Sequence, residues 1–310
     1  MNIVSYVCDS LCIDEKQLML FAATAPHRYK KYEIPKRSGH GTRTIAHPSK
    51  QLKFIQRLVI SQLENVASSH KAAVAYIKGL SIKDNAILHA KNSFLLKMDF
   101  RDFFHSITPE LMFQTYEQLG VSFSIKDREF LSNILFYKLR KNSHLRLSIG
   151  APSSPFISNI VMHHFDSSMS NYCSENDIIY TRYADDLTFS SNTKGILFPV
   201  PDEVRLRLDS TGYGSILINT EKTIFTSKKH NRHVTGITIS NDSTPSIGRQ
   251  RKRNLSAAIH RFSLEKMTEK EIEKLKGDLS FAFFVEPEFK VRMKQKYGEE
   301  IYGMLFKKNN

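Results

Sequence analysis

The chain has 310 residues, 41% hydrophobic and 11% aromatic, enough to bury a core in two or three lobes and too apolar for a disordered protein. Its 45 Lys and Arg against 31 Asp and Glu leave a charge of +14 and a pI near 9.6, which favours a polyanionic partner. No run has transmembrane length, Met1-Asn2-Ile3-Val4 lacks the start of a signal peptide, and Cys8, Cys12 and Cys173 form no Cys-x-x-Cys set, so we expect nucleic acid rather than membrane as partner, in a cytoplasm.

Residues 1–25 read as an N-terminal helical extension with Leu11, Leu18, Phe21 and Ala22 as core contacts. Tyr32 to Ile45 reads as two short strands around a basic, glycine-containing turn. It is either a solvated hairpin or a flap over a triphosphate, with Lys36, Arg37 and Arg43 meeting phosphate oxygens. From Gln51 to Ala67, Leu52, Ile55, Val59, Leu63 and Val66 recur at three- and four-residue steps, an amphipathic scaffold helix. Ser81 is set to cap a second helix, on which Asn85 and His89 share a face, either as a surface hydrogen-bonding pair or meeting one partner.

An apolar run from Phe94 ends on Asp99, the pattern of a buried strand delivering a carboxylate to its tip. Pro109 to Leu119 and Phe130 to Leu139 read as helices, the first with Pro at its start and Gly120 past its end. A basic segment follows, from Lys138 to Arg146. The small-residue loop Gly150-Ala151-Pro152-Ser153-Ser154-Pro155 then opens a helix and lets a nucleotide or template base approach closely. His163-His164 lacks the spacing of a metalloprotease pair.

Tyr180 to Ser190 reads as a β-hairpin with Ala184-Asp185-Asp186 at its tip. Two like charges about 4 Å apart repel by roughly 4 kcal/mol at an effective dielectric near 20, so adjacent carboxylates bind protons or a cation. With Asp99 as a third oxygen donor the chemistry suits Mg2+ or Mn2+; the alternative is ordinary turn chemistry. Arg205 to Leu208 is helix-like, Ile216 to Asn219 and Val234 to Ile239 are strand-like, and 241–248 is linker-like. Arg249-Gln250-Arg251-Lys252-Arg253 then starts a helical lobe ending at Lys307-Lys308. Basic residues at a helix start oppose the macrodipole, which points to an anionic partner.

Taken in order, Asp99, the Gly150 loop, Tyr183-Ala184-Asp185-Asp186 and Asn219-x-x-Lys222 resemble the successive palm motifs of reverse transcriptases, over about Tyr32 to Gly236. Asn85-Ala86-Ile87-Leu88-His89 and Val234-Thr235-Gly236 are similar to two signatures of the bacterial retron branch. The resemblance implies an α+β right-hand polymerase: interleaved fingers and antiparallel-sheet palm over 26–240, and a helical, RNA-binding thumb over 241–310.

It further implies that Asp99, Asp185 and Asp186 are catalytic metal ligands for Mg2+, with Mn2+ as the alternative. Lys222 matches a lysine that protonates the departing pyrophosphate; otherwise it is a phosphate contact or a surface charge. Lys36, Arg37, Arg43, Gly150, Ala151 and Phe104 would bind the deoxynucleoside triphosphate, Phe104 lying beneath the sugar where it excludes a ribose 2′-OH. Asn85, His89, Val234, Thr235, Gly236, Arg249, Arg251, Lys252 and Arg253 would grip RNA. Ile149 departs from the pattern, standing where many relatives have glutamine, and removes a hydrogen-bonding side chain.

The partners implied are a cognate structured non-coding RNA, which supplies template and 2′-OH primer, its branched cDNA product (msDNA), and an effector protein within an anti-phage retron. The chain leaves little room for an RNase H domain after the thumb, so a host RNase H is expected to act on the template. The alternatives are another bacterial reverse transcriptase, group II intron-like or diversity-generating, and a non-catalytic RNA-binding scaffold.

Overall fold

The computed structural model describes residues 2–35 and 41–306. The N-terminal stretch forms two helices, α1 (Ile3–Leu11) and α2 (Glu15–Thr24), capped by the side chains of Asn2 and Asp14. Ile3, Val4, Val7, Leu18 and Ala22 enter the main core, so these helices are bound to the body that follows. Next come an antiparallel hairpin, β1 (Tyr29–Pro35) with β2 (Thr42–Pro48), then α3 (Lys50–Leu63) and α4 (Ile82–Ala90), the latter started by a Ser81–Asp84 capping box.

The strand β3 (Phe94–Arg101) leads into α5 (Phe103–Ser106), α6 (Pro109–Gln118) and α7 (Ile125–Leu135). The helix expected over Phe130 to Leu139 therefore starts and ends earlier: Ser124 caps α7, and Phe136 turns extended into the small hairpin β4 (Tyr137–Lys138) with β5 (Leu145–Arg146). After α8 (Ser154–Val161) and α9 (His163–Glu175) come β6 (Ile179–Tyr183), β7 (Asp186–Ser191), α10 (Val200–Ser210), β8 (Leu217–Ile218) and β9 (Ile224–Ser227). A small sheet, β10 (Arg232–Val234), β11 (Ile237–Ile239) and β12 (Pro245–Ser246), precedes the helices α11 (Arg249–Ser263), α12 (Glu269–Val285), α13 (Pro287–Tyr297) and α14 (Glu299–Phe306). No helix among the described residues is long and apolar enough to cross a membrane.

Two sequence expectations are corrected here. Val234 to Ile239 is not one strand, because Thr235 (φ 47°) and Gly236 (φ 83°) make a two-residue turn between β10 and β11. Residues 241–248 are not a linker, because Pro245 and Ser246 pair with β11 and Ile247 is buried.

The central antiparallel sheet runs β6-β7-β3, with β8 and β9 both on the far side of β3. Period-two alternation along β3 divides its side chains between two cores. Leu96, Met98 and Phe100 join the main core of α1–α3 and α6–α9, where Phe100 packs edge-on against Phe165 at 5.8 Å. Leu95 faces the opposite way, into a second core built from Ala86 and Ala90 of α4, the small sheet and α11–α14. The two cores thus share β3, and the C-terminal lobe is seated on α4.

Candidate active site

Asp99 and Asp186 are directly opposed across β3 and β7, which puts both carboxylates on the sheet face turned away from α8 and α9. Tyr183 pairs with Asp186 across the hairpin, so Ala184 and Asp185 form the turn, with Ala184 in the left-handed region at φ 57°. The Phe100 amide donates to the Asp185 carbonyl at 3.0 Å and locks the turn against β3. Asn219, just past β8, donates its amide to the Asp99 carbonyl at 2.8 Å and its side-chain nitrogen to Asp99 Oδ1 at 3.4 Å. The short helical turn Thr220–Lys222 then brings Lys222 Nζ to 2.8 Å from Asp99 Oδ2.

Burial, and then the charge of Asp99, raise the proton affinity of Asp185, with Arg43 and Lys222 opposing. Asp186 is pushed up to about 6, by burial first and then by Asp185 and Asp99. Three carboxylates that repel one another and offer only hard oxygens fit a divalent cation such as Mg2+. Among the described residues no three of these groups already surround one point at coordination distance, Asp99 being engaged by the Lys222 ammonium. Asp102 is a different case: it is exposed, in a left-handed turn at the end of β3.

A 280 Å³ cavity lies between α3 and the Gly150 loop, lined by Lys53, Arg57, Tyr76, Phe104, residues 148–152, Ser154 and Pro155; Tyr76 links it to the acidic hairpin, its ring 6.4 Å from that of Tyr183. Gly150 has φ 120°, and an added Cβ would sit 3.2 Å from the Ala46 carbonyl and from the Ile45 side chain, so the loop can close on β2 only with glycine there. The Ile149 carbonyl accepts from the Ala46 amide at 2.9 Å, so the residue standing in the glutamine position contributes backbone. Lys53, Arg57 and Tyr76 were not anticipated. Lys53 and Arg57 lie four residues apart on the polar face of α3, a signal readable in the sequence but hidden by that helix's scaffold role. Arg43 is exposed on β2, near enough to Asp185 to act on its charge, while Lys36 and Arg37 lie outside the described residues.

The expected RNA-gripping residues divide. Asn85 and His89 are buried and turned inward: His89 Nδ1 and Nε2 lie 2.7 and 2.8 Å from the hydroxyls of Ser190 and Thr181, and Thr181 donates to Asn85 Oδ1 at 2.7 Å. In this structure these groups clamp α4 to the sheet. Burial holds His89 neutral, its pKa lowered to about 3. Val234 is likewise buried, and the Thr235 hydroxyl donates to the Ile82 carbonyl at 3.2 Å, so both short signatures meet around the start of α4. On α11, Arg251 pairs with Asp278 at 3.0 Å and Lys252 with Glu286 at 2.7 Å, which ties the lobe together, whereas Arg249 and Arg253 are exposed.

Residues 34–239 match the family described as reverse transcriptase (RNA-dependent DNA polymerase). The chain is similar to the retron Ec83 reverse transcriptase of Escherichia coli, 44% identical over 91% of this chain and 90% of that one. It is also 32% identical to the retron Ec86 reverse transcriptase of Escherichia coli, over 93% of this chain and 88% of that one. A solved telomerase from Candida albicans, in complex with a fragment of telomeric RNA, superposes with a TM-score of 0.48 at 14% identity, over 89% of this chain and 60% of that one.

Proposed function

The chain belongs to the retron reverse transcriptases, RNA-directed DNA polymerases of the α+β right-hand fold expected from its sequence, and from that premise we propose that it copies a dedicated structured RNA, primed from that RNA's own 2′-OH, into branched single-stranded DNA (msDNA). The observation that carries this reading is the opposition of Asp99 to Asp186 across β3 and β7, with Asp185 on the adjoining turn.

Asp99, Asp185 and Asp186 would hold Mg2+, or Mn2+ in its place, which when bound supplies charge stabilisation for in-line displacement at phosphorus. The protein's own contribution is chiefly positioning. The Phe100 and Asn219 amides fix the backbone of Asp185 and Asp99, so the carboxylates are aimed before substrate arrives. Lys222 stands 2.8 Å from Asp99 and is half exposed, which suits a donor to the leaving pyrophosphate. Phe104 walls the pocket, where it would meet a ribose 2′-OH and so select deoxynucleoside triphosphates, and Gly150 and Ala151 line it too; Arg43, close enough to act on Asp185, would hold the triphosphate end. Arg249 and Arg253, exposed four residues apart on α11, meet RNA phosphates, a shape- and charge-based contact suited to a structured RNA. We place this activity in a bacterial cytoplasm, within an anti-phage retron, with an effector protein as partner and host RNase H removing the copied template.

The test is to express the protein with the RNA from its own locus, isolate the copurifying nucleic acid, and treat it with RNase and with a 2′-5′ debranching enzyme. Single-stranded DNA whose mobility changes on debranching is the expected result. DNA without a branch would move priming to another mechanism. RNA alone, under ample deoxynucleotides and Mg2+, would favour the scaffold reading.

A further inference from the structure

Behind the acidic turn, on the opposite face of the sheet, lies a wholly buried charge that nothing above has used. Arg182 is 0% exposed, as is its partner Asp166 on α9. Alternation along β6 turns Arg182 toward α8 and α9 while Tyr183 faces the acids. Its Nε donates to Asp166 Oδ1 at 2.9 Å and its Nη2 to Asp166 Oδ2 at 2.6 Å, a two-pronged pairing. Tyr180 adds a third bond, its hydroxyl donating to Asp166 Oδ1 at 2.8 Å.

The remaining nitrogen reaches further. Nη1 donates to the carbonyl of Ala184 at 3.1 Å and to Asn159 Oδ1 on α8 at 3.3 Å. Ala184 is the residue in left-handed conformation that precedes Asp185, and a side-chain-bearing residue at positive φ persists only when its surroundings hold it. Asn159 in turn donates to the carbonyl of Ala75 at 2.9 Å, next to Tyr76, which is also at positive φ (63°) and lines the pocket. The Arg182 backbone is tied to the same segment, donating to the Ala72 carbonyl at 2.7 Å and accepting from the Val74 amide at 2.9 Å. One residue therefore joins the acidic turn, two helices and the pocket wall.

Stability alone is a poor reason for this arrangement. A buried ion pair is often no more stabilising than apolar side chains of the same volume, because both charges lose their hydration. What apolar side chains cannot supply is a donor aimed at the Ala184 carbonyl. We propose that Arg182, held by Asp166, is the positioning residue of the catalytic turn: its guanidinium fixes the conformation of Ala184 and so aims the Asp185 and Asp186 carboxylates. This takes Asp185 and Asp186 as the catalytic acids, as above.

Arg182→Lys separates charge from geometry, since an ammonium keeps the attraction to Asp166 but cannot reach Asp166, Asn159 and Ala184 together. With a primed RNA template, the expected result is a kcat lower by about 10- to 100-fold and a half-saturating Mg2+ concentration higher by about tenfold, at a melting temperature within about 5 °C of the parent. Excess Mg2+ restores part of the rate. A second variant, Arg182→Met with Asp166→Leu, removes both charges while filling the volume, and is expected to fold and show the same losses.

Parental kcat and Mg2+ dependence in either folded variant overturns the proposal. Collapse of the fold in both also counts against it, since the network would then serve stability alone. Asp185→Asn, run in parallel, keeps the two readings apart. Synthesis surviving in that variant sinks the active-site assignment itself, whereas its loss beside a fully active Arg182→Lys sinks only the positioning role.

Discussion

Two ion pairs flank the same acidic turn and differ in nearly everything but length. Arg182 and Asp166 are 2.6 Å apart with both side chains 0% exposed; Lys222 and Asp99 are 2.8 Å apart with side chains 56% and 9% exposed. The first is sealed between sheet and helices, where no ligand can compete for either charge, so it acts as framework. The second is open to solvent on the Lys222 side, where water, phosphate or a cation can displace Lys222 from Asp99, as the proposed role in the chemistry requires. Exposure, more than distance, separates a charge that holds a site from one that takes part in its chemistry.

The comparison can be broken first at the acids between the two pairs. Asp185→Asn should reduce nucleotide incorporation by about 10³-fold or more while leaving the melting temperature equal or higher, because a repelling charge is removed. Primer extension and a thermal melt check both halves. Asp166→Ala should strand the Arg182 charge in the core and cost about 3–5 kcal/mol of folding free energy, read from urea denaturation. A loss below about 1 kcal/mol would remove Arg182 and Asp166 from the framework.

Lys222→Ala should do the reverse. Stability should change by under about 1 kcal/mol, since the pair is open to solvent, while single-turnover incorporation falls by about 10²-fold. A parental rate would reduce Lys222 to a surface charge. The smallest effect concerns His89, a neutral link in the clamp of α4. Its folded pKa of about 3 lies below the unfolded value of 6.5, so the unfolded chain binds more protons between those limits. Stability should therefore be complete above about pH 6.5 and fall with acidification, by about 2 kcal/mol at pH 5. His89→Gln should flatten that slope, as denaturation at pH 5 and pH 7 would reveal.

Much of the site was readable before the fold. An apolar strand from Phe94, a β-hairpin around Ala184-Asp185-Asp186 and a small-residue loop at Gly150 are local patterns that recur in the structure, though β3 runs two residues past Asp99 and Asp186 is already the first residue of β7. The same holds for the helix started by Pro109 and for the Ser81 cap. Burial was less legible. The i, i+4 spacing of Asn85 and His89 shows that they share a face, and an RNA surface and the face of a sheet are equally able to use it. Likewise the basic start of α11 does not reveal that Asp278 and Glu286 lie opposite Arg251 and Lys252, while Arg249 and Arg253 stay exposed. Lys53 and Arg57 were overlooked for a related reason: the apolar stripe that defines α3 says nothing of what its polar face overlooks.

The sequence by itself determined the chemistry: which residues carry charge, which segments favour strand, turn or helix, and so where each acid stands within its own element. Backbone preference and alternation act over a few residues, and most of those choices survive folding, the exceptions being the bounds of α7, the turn at Thr235-Gly236 and the strand at Pro245-Ser246. The tertiary structure decided the meetings. Asp99 and Lys222 are 123 positions apart, and Arg182 finds Asp166 across 16 positions only because α9 packs on the back of β6. Whether a charge is framework or tool depends on what covers it, and cover comes from elements distant in the chain.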